Sequence, residues 1–521
     1  MNHPPRDGRP RTPALPGTDH DFRRNRGLSP ISRGFPRLPG CAAWLAPLSL
    51  VLSLLCALPA SANEYSPRGL YEIEHRVLAN GLRVVLKPRG DARNVSVRVR
   101  VKVGMLDFPC GRRETPHFLE HLLFTGTRRH GESALDEQIR AWGGAWNATT
   151  SLTETIYELD IFSGHFEDGL GLLHEILTES TLSAPNVELS REIIRREAGE
   201  TPGPLRRWTY AHGIGKSAND KWLETVGLTC RELETPDAIS RDDILRAYRR
   251  YYVPGNMALV IVGAFDAGKA LPLIERTFGR QPARKLPPGQ PLLIAQPPTA
   301  MTLESNLTNL LGTEAEVMIT FTTSGYRKRD HFAVYLLKRH LDTRVYESLR
   351  VQQGLSYTPQ TGSESWPDAG LLWLHANSSL GQIDRVRDAM REEIRKLHAS
   401  PLDDDAVKAL KQEALLASAS DYETNADIAD YYVASLHELE DGGTLVNEED
   451  ALMAVNAEDL RRATRDYLDL GHAVTVIERP LLAYETLYLA LALLACGSLG
   501  FLGWRWRAGA RRRRAIIEEA G

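Results

Sequence analysis

The residues of this chain most ready to do chemistry are two histidines four apart, with a carboxylate set against the second. In ETPHFLEHLLFTGT (114–127), His117 and His121 stand at i and i+4. On a helix they share one face, with Cβ atoms about 5–6 Å apart. Two neutral imidazoles so placed suit a zinc ion and leave room for a third ligand and a water. Glu120 comes one residue before His121 and three after His117, near enough to take a proton from that water. The order H-x-x-E-H inverts the commoner H-E-x-x-H. A solvated surface helix would carry the same residues, so the surrounding elements decide.

Those elements begin with strands. LANGLRVVLK (78–87) alternates after an Asn-Gly turn, and VSVRVRVKV (95–103) alternates Val with polar residues without a break. Such a period of two predicts a half-buried strand. The histidine helix follows, with Thr115 expected as N-cap and Pro116 at N1, where a missing N–H is no loss. Further helical patterns cover 132–142, 166–182, 186–200 and 240–251, and GGAWNATTSLTETIYELDIF (143–162) and MALVIVGAF (257–265) read as strands. A Pro-rich stretch, 280–301, breaks all periodicity and reads as a linker. Beyond it, NAEDLRRATRDYL (456–468) repeats SRDDILRAYRRYY (240–252), sharing the Asp, Arg, Ala, Arg and Tyr positions. Its place at the end of each half suggests one domain duplicated. The expected fold is therefore α+β: two homologous domains of mixed sheet packed with helices, 63–280 and 302–480. Only the first carries the histidines.

Two apolar runs flank this body. CAAWLAPLSLVLSLLCALPASA (41–62) follows an Arg-rich leader and ends in Ala-Ser-Ala, the pattern of a secretory signal peptide. LYLALALLACGSLGFLGW (487–504) carries no charge along its whole length and is followed by six arginines in 505–521. At a rise of about 1.5 Å per residue it spans about 27 Å, enough for a transmembrane helix, and the arginines mark its far end as cytoplasmic. The expectation is a single-pass inner-membrane protein with a periplasmic body. Hydrophobic content of 42% and charged content of 25% are ordinary for a globular chain. With the basic ends set aside the body is net −13, which argues against nucleic acid as a partner. In that body stand Cys110 and Cys230, which an oxidising compartment permits to pair, if their Cα atoms come close enough.

With H-x-x-E-H in place, the chain resembles the inverted-zincin peptidases of the pitrilysin, insulin-degrading enzyme and mitochondrial processing peptidase family. The family's spacing from second histidine to third ligand, counted on from His121, reaches Glu197, which follows the aliphatic pair Ile193-Ile194. GGAWNATTSLTETIY resembles the family strand whose edge binds substrate, which assigns Asn147, Ala148 and Thr149 to peptide binding. YYVPGNMALVIVG also matches, and TRVYESLRVQQGLSY places Arg350 and Tyr357 seven apart like the family's substrate-clamping pair. The resemblance spans about 70–478. It implies one Zn2+ per chain on His117, His121 and Glu197, with Glu120 as general base and Arg350 and Tyr357 steadying the scissile carbonyl of a short or unfolded peptide. It further implies a partner, either a second copy or a related zinc-less chain, because the family's chamber takes four such domains. Two positions depart from the pattern. Pro116 replaces a small residue, and Ser190 replaces an acid, with Glu188 and Glu192 nearby as substitutes. The rival reading is a scaffold subunit with little or no activity.

Overall fold

The computed structural model describes residues 69–519, apart from 200–201, 285, 287–288, 290, 306–308 and 419–420. The signal-peptide expectation for 1–62 lies outside the described residues. Thirteen strands are described: β1 (Glu74–Val77), β2 (Arg83–Pro88), β3 (Asn94–Val101), β4 (Ala145–Thr150), β5 (Thr155–Phe162), β6 (Met257–Gly263), β7 (Met301–Ser305), β8 (Leu311–Gly312), β9 (Glu314–Ser324), β10 (Gln360–Ser365), β11 (Ala369–Ser379), β12 (Val474–Glu478) and β13 (Leu482–Ala483). The first sheet runs β1-β2-β6-β3-β5-β4 and the second β10-β11-β9-β12-β7. Set side by side, β2-β6-β3-β5-β4 and β7-β12-β9-β11-β10 have one order and one pattern, with a single parallel pair (β2/β6, β7/β12) and the rest antiparallel. The fold is α+β and duplicated. The repeated helix opens each time on a capping box, Ser240 with Asp243 and Asn456 with Asp459. That device satisfies two otherwise unpaired N–H groups.

In each half, helices cover one face of the sheet, and Val95, Val97, Val99 and Val101 of β3 point into the first core. The opposite faces are covered reciprocally. The Asn425–Ala434 helix from the second half lies across β3 and β6, burying Ile428, Ala429 and Tyr432 against Val85, Val260 and Val262. The Ala218–Thr225 helix from the first half lies on β12 and β7, with Trp222 and Leu223 against Leu371, Val474 and Val476.

The polar face of β3 is therefore not the solvent face that alternation predicts. Ser96, Arg98 and Arg100 are all buried. Arg98 is held by Asp160 at 3.3 Å and by Asp430 at 2.7 Å, and Arg100 by Glu440 at 2.5 Å. A charge taken from water needs such partners, and two of the three come from the far half of the chain. The described residues of the Pro-rich stretch form no regular element between Arg280 and Met301. The last apolar run forms part of one helix, Tyr484–Glu519, whose stretch from Tyr484 to Arg511 is long and apolar enough to cross a membrane and is not buried.

Candidate active site

The metal helix, Thr115–Phe124, buries Phe118, Leu119, Leu122 and Leu123 on one side, which turns His117, Glu120 and His121 outward. Its first turn differs from expectation. The cap position belongs to Glu114, and Pro116 follows within the first turn. The Thr115 hydroxyl donates to the Arg112 carbonyl at 2.7 Å and so is not the capping acceptor. Glu114 makes no capping bond either. Its Oε2 lies 2.8 Å from Nδ1 of His117, an i,i+3 contact that leaves the Nε2 side of the ring free. Burial alone would lower the His117 pKa, but the Glu114 hydrogen bond and the carboxylates of Glu114, Glu120 and Glu197 outweigh it and raise it.

The third member arrives on the Ala184–Glu197 helix, which packs beside the metal helix and is capped by Ser183 accepting from the Asn186 N–H. Glu197 Oε2 lies 3.3 Å from Nε2 of His117 and 3.3 Å from Nε2 of His121, and the two Nε2 atoms are 3.1 Å apart. Ligands bonded at about 2.0–2.1 Å to one centre stand about 3.3 Å apart at the corners of a tetrahedron. The triangle has that size. Three such atoms so close, each able to offer a lone pair when the imidazoles carry their hydrogens on Nδ1, fit a zinc ion.

Glu120 is held from the other side, where the Thr150 hydroxyl at the end of β4 donates to its Oε2. β4 is the edge of its sheet and pairs only with β5. Gly143 and Gly144 set up this edge. Gly143 has φ +64°, and a Cβ on it would meet the Phe162 ring at 2.5 Å. Asn147 and Thr149 are exposed along the strand and Ala148 is buried. That leaves a row of backbone donors and acceptors to pair with an extended peptide.

Arg350 and Tyr357 are brought together with each other. Arg350 lies on a π-helical stretch, Glu347–Gln352, a rare element frequent at functional sites. Its guanidinium stacks 4.1 Å from the Tyr357 ring and donates to the Tyr357 carbonyl at 2.7 Å. Among the described residues no hydrogen bond, ion pair or ring contact joins this pair to the cluster.

Ser190 is buried with its hydroxyl unpartnered among the described residues. Neither nearby acid takes its place: Glu188 pairs with Arg191 at 3.2 Å and Glu192 with Arg195. Cys110 and Cys230, left open by the sequence, form a disulfide with Cα atoms 5.8 Å apart. It ties the loop before the metal helix to the loop after the Ala218–Thr225 helix. Sequence reasoning missed Glu114 and Thr150. The i,i+3 spacing of Glu114 from His117 was the available signal for the first, and the Thr that follows Thr149 was the signal for the second.

A duplicated α+β body with two imidazoles, two carboxylates and an open strand edge at one site is the architecture of a metal-dependent peptidase. Residues 83–202 match the model of the insulinase-type peptidase family M16, and 238–414 match that of the peptidase M16 inactive domain. The chain belongs to peptidase family M16. An uncharacterized zinc protease of Streptomyces coelicolor is 25% identical over 351 residues, covering 65% of this chain and 75% of its own length. The mitochondrial-processing peptidase subunit beta of Lentinula edodes is 25% identical over 414 residues, 76% of this chain and 87% of its own. Two solved structures share the fold. A protease from Helicobacter pylori superposes with TM-score 0.65 at 19% identity over 78% of this chain and 99% of that one. The periplasmic protease PqqL from Escherichia coli gives 0.64 at 18% over 78% of this chain and 45% of that one.

Proposed function

We propose that the protein is a zinc metalloendopeptidase that hydrolyses short or unfolded peptides, exported and held at the inner membrane by the Tyr484–Glu519 helix. The observation that carries this reading is the triangle of His117, His121 and Glu197 with Glu120 one helical step away and tethered by Thr150. His117, His121 and Glu197 would hold the ion, which supplies a Lewis acid able to bring the pKa of water to about 7.

The chain's own groups do the rest. β4 aligns the peptide in extended form through its free edge, Asn147 and Thr149 facing outward. Glu120 accepts the proton of the attacking water and later delivers it to the leaving amine, the Thr150 hydroxyl keeping its carboxylate oriented. Arg350 and Tyr357 donate to the scissile carbonyl as its oxygen gains charge. They lie in the second half, and among the described residues no hydrogen bond, ion pair or ring contact joins them to the cluster of their own chain. Together with the four-domain chamber that the family resemblance implies, this favours a clamp supplied by a partner chain.

The test is Glu120→Gln, which keeps the ligands and removes the proton acceptor. Bound zinc should remain at one per chain by atomic spectroscopy while cleavage of a peptide library is lost. Activity within about tenfold of the parent would remove Glu120 from the role of base. A second reading, an inactive or weakly active scaffold subunit, is favoured by one observation, the buried Ser190 seven residues before Glu197 on the same helix, whose hydroxyl has no partner among the described residues. Zinc below one per chain in the parent would support it.

A further inference from the structure

β8 and β13 form a two-stranded parallel ribbon apart from both large sheets. It is closed by the Leu481 N–H donating to the Asn309 carbonyl at 2.8 Å and the Leu482 N–H to the Leu310 carbonyl at 3.0 Å. Its sequences, Asn-Leu-Leu-Gly-Thr (309–313) and Pro-Leu-Leu-Ala-Tyr (480–484), carry no charge. Leu310, Leu311, Leu481 and Leu482 are 39–65% exposed. Successive strand residues face opposite sides. The register partners Leu311 and Leu482 therefore share one side, and Leu310 and Leu481 stand just before them in the chain.

Such a ribbon is out of place in water. Two strands alone are marginal there. The continuation of the chain says what surrounds it. β13 passes into the Tyr484–Glu519 helix without a linker. Leu482 precedes Tyr484 by two residues, at most about 7 Å of chain. The uncharged run begins three helical residues later, about 4.5 Å further on. With the helix entering a bilayer at Leu487, Leu482 stands within about 12 Å of the hydrocarbon, beside the headgroup layer where Tyr484 and Tyr488 are also suited to lie.

We infer that the β8–β13 ribbon is a second membrane contact, a foot that seats its four leucines in the lipid interface and fixes how the body stands on the bilayer. This rests on the reading of the Tyr484–Glu519 helix as a membrane anchor. Apolar side chains at that depth gain by leaving water for the headgroup–acyl boundary. The helix alone would leave the body free to tilt about its exit point. The foot removes that freedom.

The test uses the full chain in vesicles of phosphatidylethanolamine and phosphatidylglycerol, with a benzophenone amino acid at one position at a time. Positions 310, 311, 481 and 482 report the foot, 494 reports the anchor, and 205, exposed on the Pro204–Ala211 helix, reports water. After irradiation, intact mass should show a lipid adduct at the four ribbon positions and at 494, and none at 205. Adducts at 494 without any on the ribbon would overturn the foot and leave the anchor standing. Cross-links from the ribbon to a second copy of the chain would overturn it in favour of a chain–chain contact. No adduct at 494 would overturn foot and anchor together.

Discussion

Removing the Glu114 carboxylate should weaken metal binding without unfolding the helix that carries the ligands. Glu114 Oε2 lies 2.8 Å from Nδ1 of His117, so it fixes the tautomer that leaves Nε2 free and raises the basicity of that nitrogen. Outer partners of this kind are worth about 10–100-fold in metal affinity, or about 1.4–2.7 kcal/mol. Glu114→Ala should lose that amount. Glu114→Gln keeps an acceptor but not the charge, and charge-assisted bonds are about twice as strong as neutral ones; it should lose about half the free energy, roughly 3–10-fold. Helix stability should change little, because Glu114 makes no side-chain capping bond and a lone carboxylate at a helix N-terminus contributes only about 0.3–1 kcal/mol. The assay is competition for zinc against a chromophoric chelator near neutral pH, run beside thermal melting of the metal-free protein. A zinc Kd within about twofold of the parent in Glu114→Ala would refute the reasoning, as would a loss of affinity matched by a collapse of the metal-free melt.

Mixing Glu120→Gln with Arg350→Ala, each inactive alone, should restore up to half the parental activity if the clamp acts between copies, since a mixed pair holds one intact site; no recovery with mixed dimers formed would mean that the clamp is not shared. Alkaline phosphatase fused after residue 480 should be active and after 514 inactive, and the reverse would overturn the topology. Burial raises Glu364 to about 7 from 4.5, so the native state keeps a proton the unfolded state loses, and stability falls as pH rises from 4.5 toward 7. Glu364→Gln should match the parent near about pH 5 and exceed it near about pH 8 by roughly 1–2 kcal/mol, after discounting for partial exposure; an equal difference in denaturant midpoint at both pH values would count against it.

The parts of the fold legible in the sequence are those fixed by local pattern. The period of two in β3 and the helical patterns of 240–251 and its repeat at 456–468 each act over a few residues, and each stands where the pattern puts it. The clustering of His117, His121 and Glu197 was legible only through the resemblance, because Glu197 sits on a different helix from His121, far along the chain, and no local rule joins them. What local pattern hides is the far partner. Arg98 and Arg100 read as a solvent face because the helix that covers them belongs to the other half of the chain, and Asp430 is 332 residues from Arg98. The Cys110–Cys230 pair, separated by 120 residues, stayed open for the same reason. Thr115 was misread as a cap because Ser and Thr serve either as capping acceptors or as donors to a nearby carbonyl. Here the Arg112 carbonyl is in reach.

The same long-range pairs constrain how the site can open. Arg98 has 2% of its side chain exposed and is shared between Asp160 of its own sheet and Asp430 of the other half. Burial disfavours its charge, but the two aspartates more than restore it. Drawing the halves apart would strip Asp430 from a guanidinium still held in β3, and breaking a buried pair costs about 3–5 kcal/mol. Arg100 and Lys102 add their bonds to Glu440 across the same seam. The reciprocal burial of the Asn425–Ala434 and Ala218–Thr225 helices would be lost as well. A hinge between the halves is therefore the expensive motion. Among the described residues no hydrogen bond, ion pair or ring contact joins the Arg350–Tyr357 pair to the cluster of its own chain, and bringing them together by a hinge within one chain would have to work against this seam. In the proposed pairing, a clamp carried by a second chain would meet no such cost, and the site would open where chain meets chain while each body stays closed.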